Sequence, residues 1–297
     1  MKRRSFIGYL LLFLAGCTAV NSRSPEANTS ALKLPEKLRF AVTDVQGIEN
    51  LQRDYEQFRR QLEIALNIPI EFFPVDSYTA SAIALQNNKV DLVLTGPAEY
   101  ILTQSRTNAI PVIAITRPNY RSAIAVSGTS GIKSLADLKG KKIAMLKLGS
   151  TSGHLGPTKF LIDAGLDPKT DYEVVMLGRE GSLDALKQGT VDAWGGPTVD
   201  YEQFLKSENL TEVDFPMLKR GDLLPSDVFM VNSYTPPATI DYIRSRLLES
   251  QEQLIEALST PQANAKYKNS KLVSANDADY DPIREVYRAI GQGDFLK

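Results

Sequence analysis

The stretch with the clearest chemical potential is a loop of hydroxyl residues enclosed by two glycines, Gly149–His154, here called the hydroxyl loop. Its three consecutive hydroxyl side chains are those of Ser150, Thr151 and Ser152. A strand-like run ends at Leu146 and a helix-like run begins at Thr158. The first N–H groups of a helix lack partners and carry the positive end of its dipole, so this position favours anions. We therefore expect the loop to bind a small tetrahedral oxyanion, although one hydroxyl alone would suffice for ordinary helix capping.

A catalytic or metal-binding role for the same loop is less favoured. Ser152 and His154 lie two residues apart, as a nucleophile and its base could, but no orienting acid or nucleophile-elbow pattern accompanies them. His154 is the sole histidine, and no Asp/Glu cluster has metal-ligand spacing, so we expect no metal and no other cofactor. His154 either contacts the ligand or packs the loop, and the sequence leaves both open.

Composition limits the possible partners. The chain has 297 residues, of which 43% are hydrophobic and 23% charged, which fits one or two globular domains. The formal net charge is -1. A slightly acidic protein is not built to coat nucleic acid or an anionic membrane surface. Any anion site must therefore rely on local donors.

The N-terminus has the pattern of a secretory signal. Basic residues at Lys2–Arg4 precede an apolar stretch, Phe6–Leu14, that is too short to span a bilayer. Small residues then lead to Cys17, as in a bacterial lipoprotein signal, and Cys17 is the only cysteine, so no intramolecular disulfide can form. We predict a signal peptide over 1–16, lipidation of Cys17 and a flexible tether over 17–35. The mature protein would be periplasmic or on the cell surface, held to the membrane by lipid alone.

Strand-like and helix-like runs alternate along the rest of the chain, which predicts an α/β protein whose sheets are mainly parallel and flanked by helices. Two such series, followed by a helical tail from about Pro236, predict two lobes with a ligand cleft between them. In parallel sheets ligands lie beyond the carboxyl ends of strands, where Asp44, Tyr78 and Thr95 stand. For Asp44 we favour a role that is limited to ending the first strand.

Several motifs occur together and in a fixed order. In chain order they are Tyr78, Gly96–Tyr100, Ser134–Lys142, Gly149–Pro157, Ser182–Leu186 and Gly189–Ala193. Over most of residues 36–235 the chain resembles the substrate-binding proteins of phosphonate, phosphite and phosphate ABC importers. The resemblance implies a two-lobed type II periplasmic-binding-protein fold joined by two hinge strands. Lobe 1 would comprise 36–121 plus 233–297 and lobe 2 would comprise 122–232, with hinges near 120–123 and 230–234.

The resemblance also implies the ligand contacts. Ser150, Thr151 and Ser152 would hold the phosphorus oxygens, assisted by neighbouring amides and, from the other lobe, by the hydroxyls of Tyr78 and Tyr120. The remaining candidates are Thr95, His154, Arg179 and Asp227. Aminoalkylphosphonate binders have a histidine where this chain has Arg179 and an acid where it has Val199, whereas Asp227 keeps its acid. These departures favour phosphite, phosphate or methylphosphonate over a 2-aminoethyl ligand.

The predicted function is capture of that oxyanion without catalysis, by a monomeric lipoprotein that delivers it to an ABC permease with its ATPase. No transmembrane or signalling segment follows the second lobe before Lys297, so we expect a free binding protein. One alternative is a ligand-sensing lipoprotein that presents its closed form to a separate receptor. A phosphate-ester hydrolase is the less favoured alternative.

Overall fold

Two separate β-sheets form the centre of the computed structural model, which describes residues 34–76 and 80–296. The predicted signal peptide, Cys17 and Tyr78 lie outside the described residues. The first sheet has the spatial order β11-β4-β10-β3-β1-β2. Its strands are β1 (Leu38–Val42), β2 (Ile70–Phe72), β3 (Leu92–Thr95), β4 (Ile110–Ile115), β10 (Asp227–Val231) and β11 (Leu272–Val273). The strands β1, β2 and β3 are parallel, whereas β10 runs antiparallel to both of its neighbours, β3 and β4.

The second sheet has the order β7-β6-β8-β5-β9. Its strands are β5 (Ser122–Val126), β6 (Lys142–Met145), β7 (Glu173–Met176), β8 (Ala193–Pro197) and β9 (Met217–Arg220). Strand β6 is parallel to β7 and β8, and β5 is antiparallel to β8 and β9. Each sheet is thus mixed, with β10 and the short β11 running against the other strands of the first sheet and β5 against those of the second, and the predicted α/β class is confirmed.

Helices cover both faces of each sheet because neighbouring strand residues point to opposite sides. In β1, for example, Phe40 packs in one core and Ala41 in the other. The first sheet lies between α1 (Ile48–Leu66), α7 (Pro237–Glu249) and α8 (Gln251–Ser259) on one face and α2 (Ala80–Gln86), α3 (Pro97–Thr107) and α9 (Asp281–Ala289) on the other. The second lies between α4 (Gly156–Asp163) on one face and α5 (Gly178–Lys187) and α6 (Thr198–Ser207) on the other.

The helix α1 shows how the sequence directs this packing. Its buried residues recur at three- and four-residue steps, which gives one continuous apolar face, and they include Leu51, Tyr55, Phe58 and Leu62. The helix ends at Asn67, which adopts the left-handed conformation with φ 50°. Within the two described ranges, no helix combines the length and apolarity that a bilayer-spanning helix needs.

The chain crosses between the sheets twice, through segments 116–121 and 221–226. The two crossings lie side by side, since the Leu224 amide donates to the Tyr120 carbonyl at 2.8 Å. The predicted return near 230–234, with residues up to 232 in lobe 2, is wrong, because β10 lies between β3 and β4 of the first sheet. All five residues of β10 are buried, so its apolar pattern would suit the centre of either sheet and does not identify which one.

Candidate functional site

A cavity of about 660 Å³ lies between the two sheets. It receives side chains from the first sheet, from the hydroxyl loop, from the first crossing segment and from the tail after α8. The polar residues on its wall include Thr43, Asp44, Thr95, Glu99, Arg117, Tyr120, Ser150, Thr151, Ser152, Arg179, Asp227, Lys266 and Tyr267. The structure thus gathers most of the predicted site residues in one cleft.

The hydroxyl loop is a capped helix start that faces this cavity. Ser150 Oγ accepts a hydrogen bond from the Gly153 amide at 3.2 Å, which is an N-cap contact. A π-helical turn, Thr151–Leu155, follows and leads into α4. Such turns often mark functional positions in helices. Gly149 precedes the turn with φ +82°, a left-handed conformation that suits glycine.

A second helix start points at the loop from the first sheet. The amide of Ala98, in the first turn of α3, donates to Thr151 Oγ1 at 3.0 Å. Because Thr151 accepts in this bond, its own hydroxyl proton stays available to a ligand. Thr95, just before α3, shares a hydrogen bond of 3.1 Å with Thr43 through their hydroxyl oxygens. The cleft therefore has two helix N-termini and several hydroxyls around one space, an arrangement that suits an anion.

Arg117 is a cavity residue that the sequence analysis missed. Its guanidinium lies 3.5 Å from the centroid of the Tyr120 ring, and its side chain is 9% exposed. Nη1 lies 3.4 Å from Asp227 Oδ1, while the buried Nε has no hydrogen-bond partner among the described residues. Burial, the largest single influence, would lower the pKa of Arg117, but the combined attraction of Asp227 and the neighbouring acidic and phenolic groups outweighs it and raises the pKa. Arg117 follows the end of β4, so the strand-end rule that selected Thr95 could have found it.

Asp227, a predicted site residue, is already engaged by the protein. Its Oδ2 accepts a hydrogen bond from the Tyr267 hydroxyl at 2.8 Å, and its Oδ1 faces Arg117. This carboxylate therefore balances a buried guanidinium. A ligand ammonium would have to compete with Arg117 for it.

Arg179 lies at the cavity rim and is 58% exposed. It forms an ion pair with Asp200, which is buried beside Val199. Burial raises the pKa of Asp200, and the positive charge of Arg179 opposes that change. The positive charge that we predicted at Arg179 is thus partly neutralised. The acid that neutralises it, Asp200, lies one residue beyond Val199, where aminoalkylphosphonate binders have their acid.

Two acidic residues on the wall were not recognised as site residues. Asp44 forms an ion pair with Lys266 and lines the cavity, so limiting it to ending the first strand is wrong. Burial, the largest single influence, opposes ionisation of Asp44, but Lys266 together with the two cavity arginines outweighs it and lowers the pKa. Glu99, on α3, is 8% exposed, and burial raises its pKa to about 7. Both residues lie at strand or helix ends, where sequence alone does not distinguish capping from ligand contact.

His154 contacts the hydroxyl loop rather than the cavity. His154 Nδ1 accepts a hydrogen bond from the Gly149 amide at 3.2 Å, and His154 lies outside the cavity wall. Its contact in the structure is with the hydroxyl loop itself, and burial lowers its pKa. Across residues 34–76 and 80–296, no group of three or more His, Cys, Asp or Glu side chains is arranged to hold a metal ion.

A family model described as the phosphonate periplasmic substrate-binding protein of ABC transporters matches residues 40–280. The phosphate-import protein PhnD of Mycolicibacterium smegmatis is 24% identical over 92% of this chain and 92% of its own length. PhnD1 of Prochlorococcus marinus, described as a probable ABC transporter phosphite binding protein, is 27% identical over 64% of this chain and 71% of its own.

Two solved structures are similar in fold. PhnD1 in complex with methylphosphonate has a TM-score of 0.69 at 18% identity, covering 87% of this chain and 100% of that one. XAC2383 from Xanthomonas citri bound to ATP has a TM-score of 0.73 at 17% identity, covering 89% of this chain and 100% of that one. At these identities the likeness concerns the fold, and it confirms the predicted type II periplasmic-binding-protein architecture.

Proposed function

Because this chain belongs to the phosphonate family of periplasmic substrate-binding proteins of ABC transporters, we propose that it captures a small phosphorus oxyanion in the cleft between its two sheets. Members of the family are transport components rather than enzymes, act outside the cytoplasm and serve an ABC permease with its ATPase. The proposed ligand is phosphate, phosphite or methylphosphonate, held without covalent chemistry. We also propose lipidation of Cys17 as the membrane attachment.

The observation that carries this proposal is the meeting of the hydroxyl loop with the first turn of α3 around one cavity. Ser150, Thr151 and Ser152 line the cavity, and the Ala98–Thr151 hydrogen bond closes its edge. These groups, with the Tyr120 hydroxyl, can donate to a tetrahedral anion. A hydrogen bond to a charged acceptor contributes about 1.5–3 kcal/mol.

Arg117 supplies the buried positive charge for this site. Its unpartnered Nε, as judged from the described residues, calls for an acceptor that the protein does not provide. Arginine is suited to such a role because its planar donors match the oxygens of phosphorus oxyanions. We assign Arg179 a smaller part, since it is exposed and paired with Asp200.

A small substituent on phosphorus is favoured over an amino-bearing one. Asp227 is engaged through both oxygens by Arg117 and Tyr267, and Asp200, which pairs with Arg179, does not line the cavity, so neither carboxylate is placed to receive an ammonium group. The relatives described as importing phosphate and binding phosphite, and the structure with methylphosphonate, support the same ligand range. Closure of the lobes would occur by rotation about the crossings 116–121 and 221–226.

Titration calorimetry of the purified protein tests the ligand. Phosphate, phosphite, methylphosphonate, sulfate and 2-aminoethylphosphonate are compared at one pH and salt concentration. We expect the first three to bind, and we expect the double variant S150A/T151A to weaken them by on the order of tenfold or more. Unchanged affinities in that variant would contradict the site, and far tighter binding of 2-aminoethylphosphonate would contradict the ligand class. S207A, on the outer helix α6, is the matched hydroxyl control.

A further inference from the structure

The carboxyl group of Glu99 is the least explained polar group in the cleft. Glu99 is the third residue of α3 and follows Ala98, whose amide bonds to the hydroxyl loop. The carboxyl lies over the chain at Gly96, where a Cβ atom would meet Oε2 at 2.7 Å. Oε2 is buried, and among the described residues it has no hydrogen-bond partner. Glu99 thus lines the wall of the proposed anion site and has one carboxyl oxygen that is buried and unsatisfied.

The charged and titratable groups around Glu99 come from five other parts of the chain. They are Asp44 after β1, Tyr120 in the first crossing, Asp227 on β10, Lys266 before Tyr267, and Tyr287 on α9. Burial is the largest influence on Glu99 and raises its pKa, and the two aspartates add to this effect. A hydrogen bond from the backbone amide of Glu99 and the charge of Lys266 oppose it, so the pKa lies near 7. The first turn of α3, which carries Glu99, contacts the hydroxyl loop directly, because the amide of the preceding residue, Ala98, donates to Thr151 Oγ1 at 3.0 Å.

An ionised Glu99 would repel a bound anion and would leave a buried oxygen unsatisfied. One proton placed between the two groups replaces this repulsion with a charge-assisted hydrogen bond. The proton can come from the ligand, when the ligand carries a P–OH group, or from solvent. Glu99 then donates to, or accepts from, the oxyanion.

We propose that Glu99 and the bound oxyanion share one proton, which makes Glu99 the residue that selects a protonatable phosphorus oxyanion over a fully ionised sulfate or sulfonate. This inference rests on the proposed function, because it assumes that the oxyanion binds in this cleft. It assigns a specificity role to a residue outside the hydroxyl loop. It also predicts how binding depends on pH for each ligand.

The ligands differ in whether they bring the proton. Inorganic phosphate keeps a P–OH group through the mildly alkaline range, since only its third ionisation removes it. Methylphosphonate loses its last acidic proton near or just above neutral pH, and sulfate has none to give at neutral pH. Above neutral pH, phosphate should therefore bind without taking up a proton, whereas methylphosphonate and sulfate must take one from solvent.

Calorimetry of the purified protein between about pH 7.5 and pH 9 tests this inference with phosphate, methylphosphonate and sulfate. A required proton uptake weakens binding by up to about tenfold per pH unit, as for any linked equilibrium. We expect the affinity for methylphosphonate to fall with this slope, and the affinity for phosphate to change by less than about threefold over the same pH range. Titrations in buffers of different ionisation enthalpy should give one proton taken up by methylphosphonate at the alkaline end and close to none by phosphate. Any other group of the protein that titrates in this range should affect both ligands, so phosphate is the reference against which methylphosphonate is compared.

The variant E99Q replaces the shared proton with a permanent amide donor. We expect its methylphosphonate affinity to lose the pH slope and the proton uptake, and its preference for phosphate over sulfate to fall at least about tenfold at pH 8. E285Q, an equal charge change on the exposed face of α9, should keep the wild-type profile. If the affinities of wild-type protein for phosphate and methylphosphonate change equally with pH, the proposed role of Glu99 is wrong, while the proposed function still stands. This comparison does not depend on whether a variant folds. Failure of both ligands to bind at every pH would overturn the proposed function together with the role of Glu99.

Discussion

The amide of Ala98 donates a 3.0 Å hydrogen bond to Thr151 Oγ1, and this bond connects α3 on the first sheet with the hydroxyl loop beside the second. It joins the two sides of the cleft directly, in addition to the crossings at 116–121 and 221–226. Thr151 thus has two tasks in the proposed mechanism. It accepts from the opposite lobe and can donate its own proton to the ligand.

The double task of Thr151 predicts a graded response to substitution. T151V removes both hydrogen bonds and should weaken phosphate binding by on the order of tenfold or more, whereas T151S, which keeps the hydroxyl, should stay within about threefold of wild type. Calorimetry measures both affinities. T158V is the matched control, because Thr158 is a buried threonine on α4 whose hydroxyl faces the sulfur of Met145. Equal losses in T151V and T158V would assign the effect to stability rather than to the contact.

Arg117 and Arg179 should respond differently to replacement by methionine. R117M leaves the carboxylate of Asp227 buried without its cation, and breaking a buried ion pair typically costs about 3–5 kcal/mol. R179M also leaves a buried carboxylate, that of Asp200, without its cation, but the lost guanidinium is exposed and screened by solvent, so the cost should be smaller than that of R117M. Urea unfolding measures both free energies. The double variant R117M/D227N removes the unpaired charge and should recover part of the loss.

The two arginines should also contribute differently to ligand binding. We expect phosphate affinity to fall more in R117M/D227N than in R179M, because Arg117 is buried against the cavity and Arg179 is exposed and paired with Asp200. Calorimetry at equal salt concentration measures the two losses. A larger loss in R179M would return the main cationic role to the residue that the sequence suggested first.

Local patterns allowed most of the fold to be predicted. The apolar face of α1 and the alternation of strands with helices follow directly from residue spacing. The hydroxyl loop could be found because its composition exceeds what capping needs. By contrast, β10 was assigned to the wrong sheet, since a fully buried strand carries no signal about its neighbours.

The missed site residues share a different cause. Arg117, Glu99 and Lys266 come from distant parts of the chain, and only the tertiary fold brings them to one cavity. Their types are common on protein surfaces, so residue type alone gives no reason to single them out, and only Arg117 has a further signal, its position after β4. The burial that makes them informative is a property of packing. Arg179, which sequence comparison did single out, proves to be largely exposed.

The proposed lipid anchor predicts a simple change in behaviour. Wild-type protein made in a bacterial host should carry the mass of acyl chains on Cys17 and should enter the detergent phase on phase separation. C17A lacks the only thiol of the chain and should stay in the aqueous phase. Intact-protein mass spectrometry checks the modification directly. An unmodified thiol on the mature wild type would contradict the anchor while leaving the binding site unaffected.

Glu99 should also make the fold less stable as pH rises. Its pKa is about 7 in the folded protein against 4.5 as the ordinary value, so between these values the folded state keeps a proton that the unfolded state has released. The free energy of unfolding therefore falls across this window, by about 3 kcal/mol for this group. E99Q cannot ionise, so it should match wild type near pH 4.5 and be more stable by up to that amount near pH 8. Urea unfolding of wild type, E99Q and the exposed control E285Q at both pH values measures the difference, in which the contributions of all other groups cancel. An E99Q advantage that is equal at both pH values would show that the pKa of this carboxyl is not raised in the folded protein, and the shared proton would then have to come from the ligand alone.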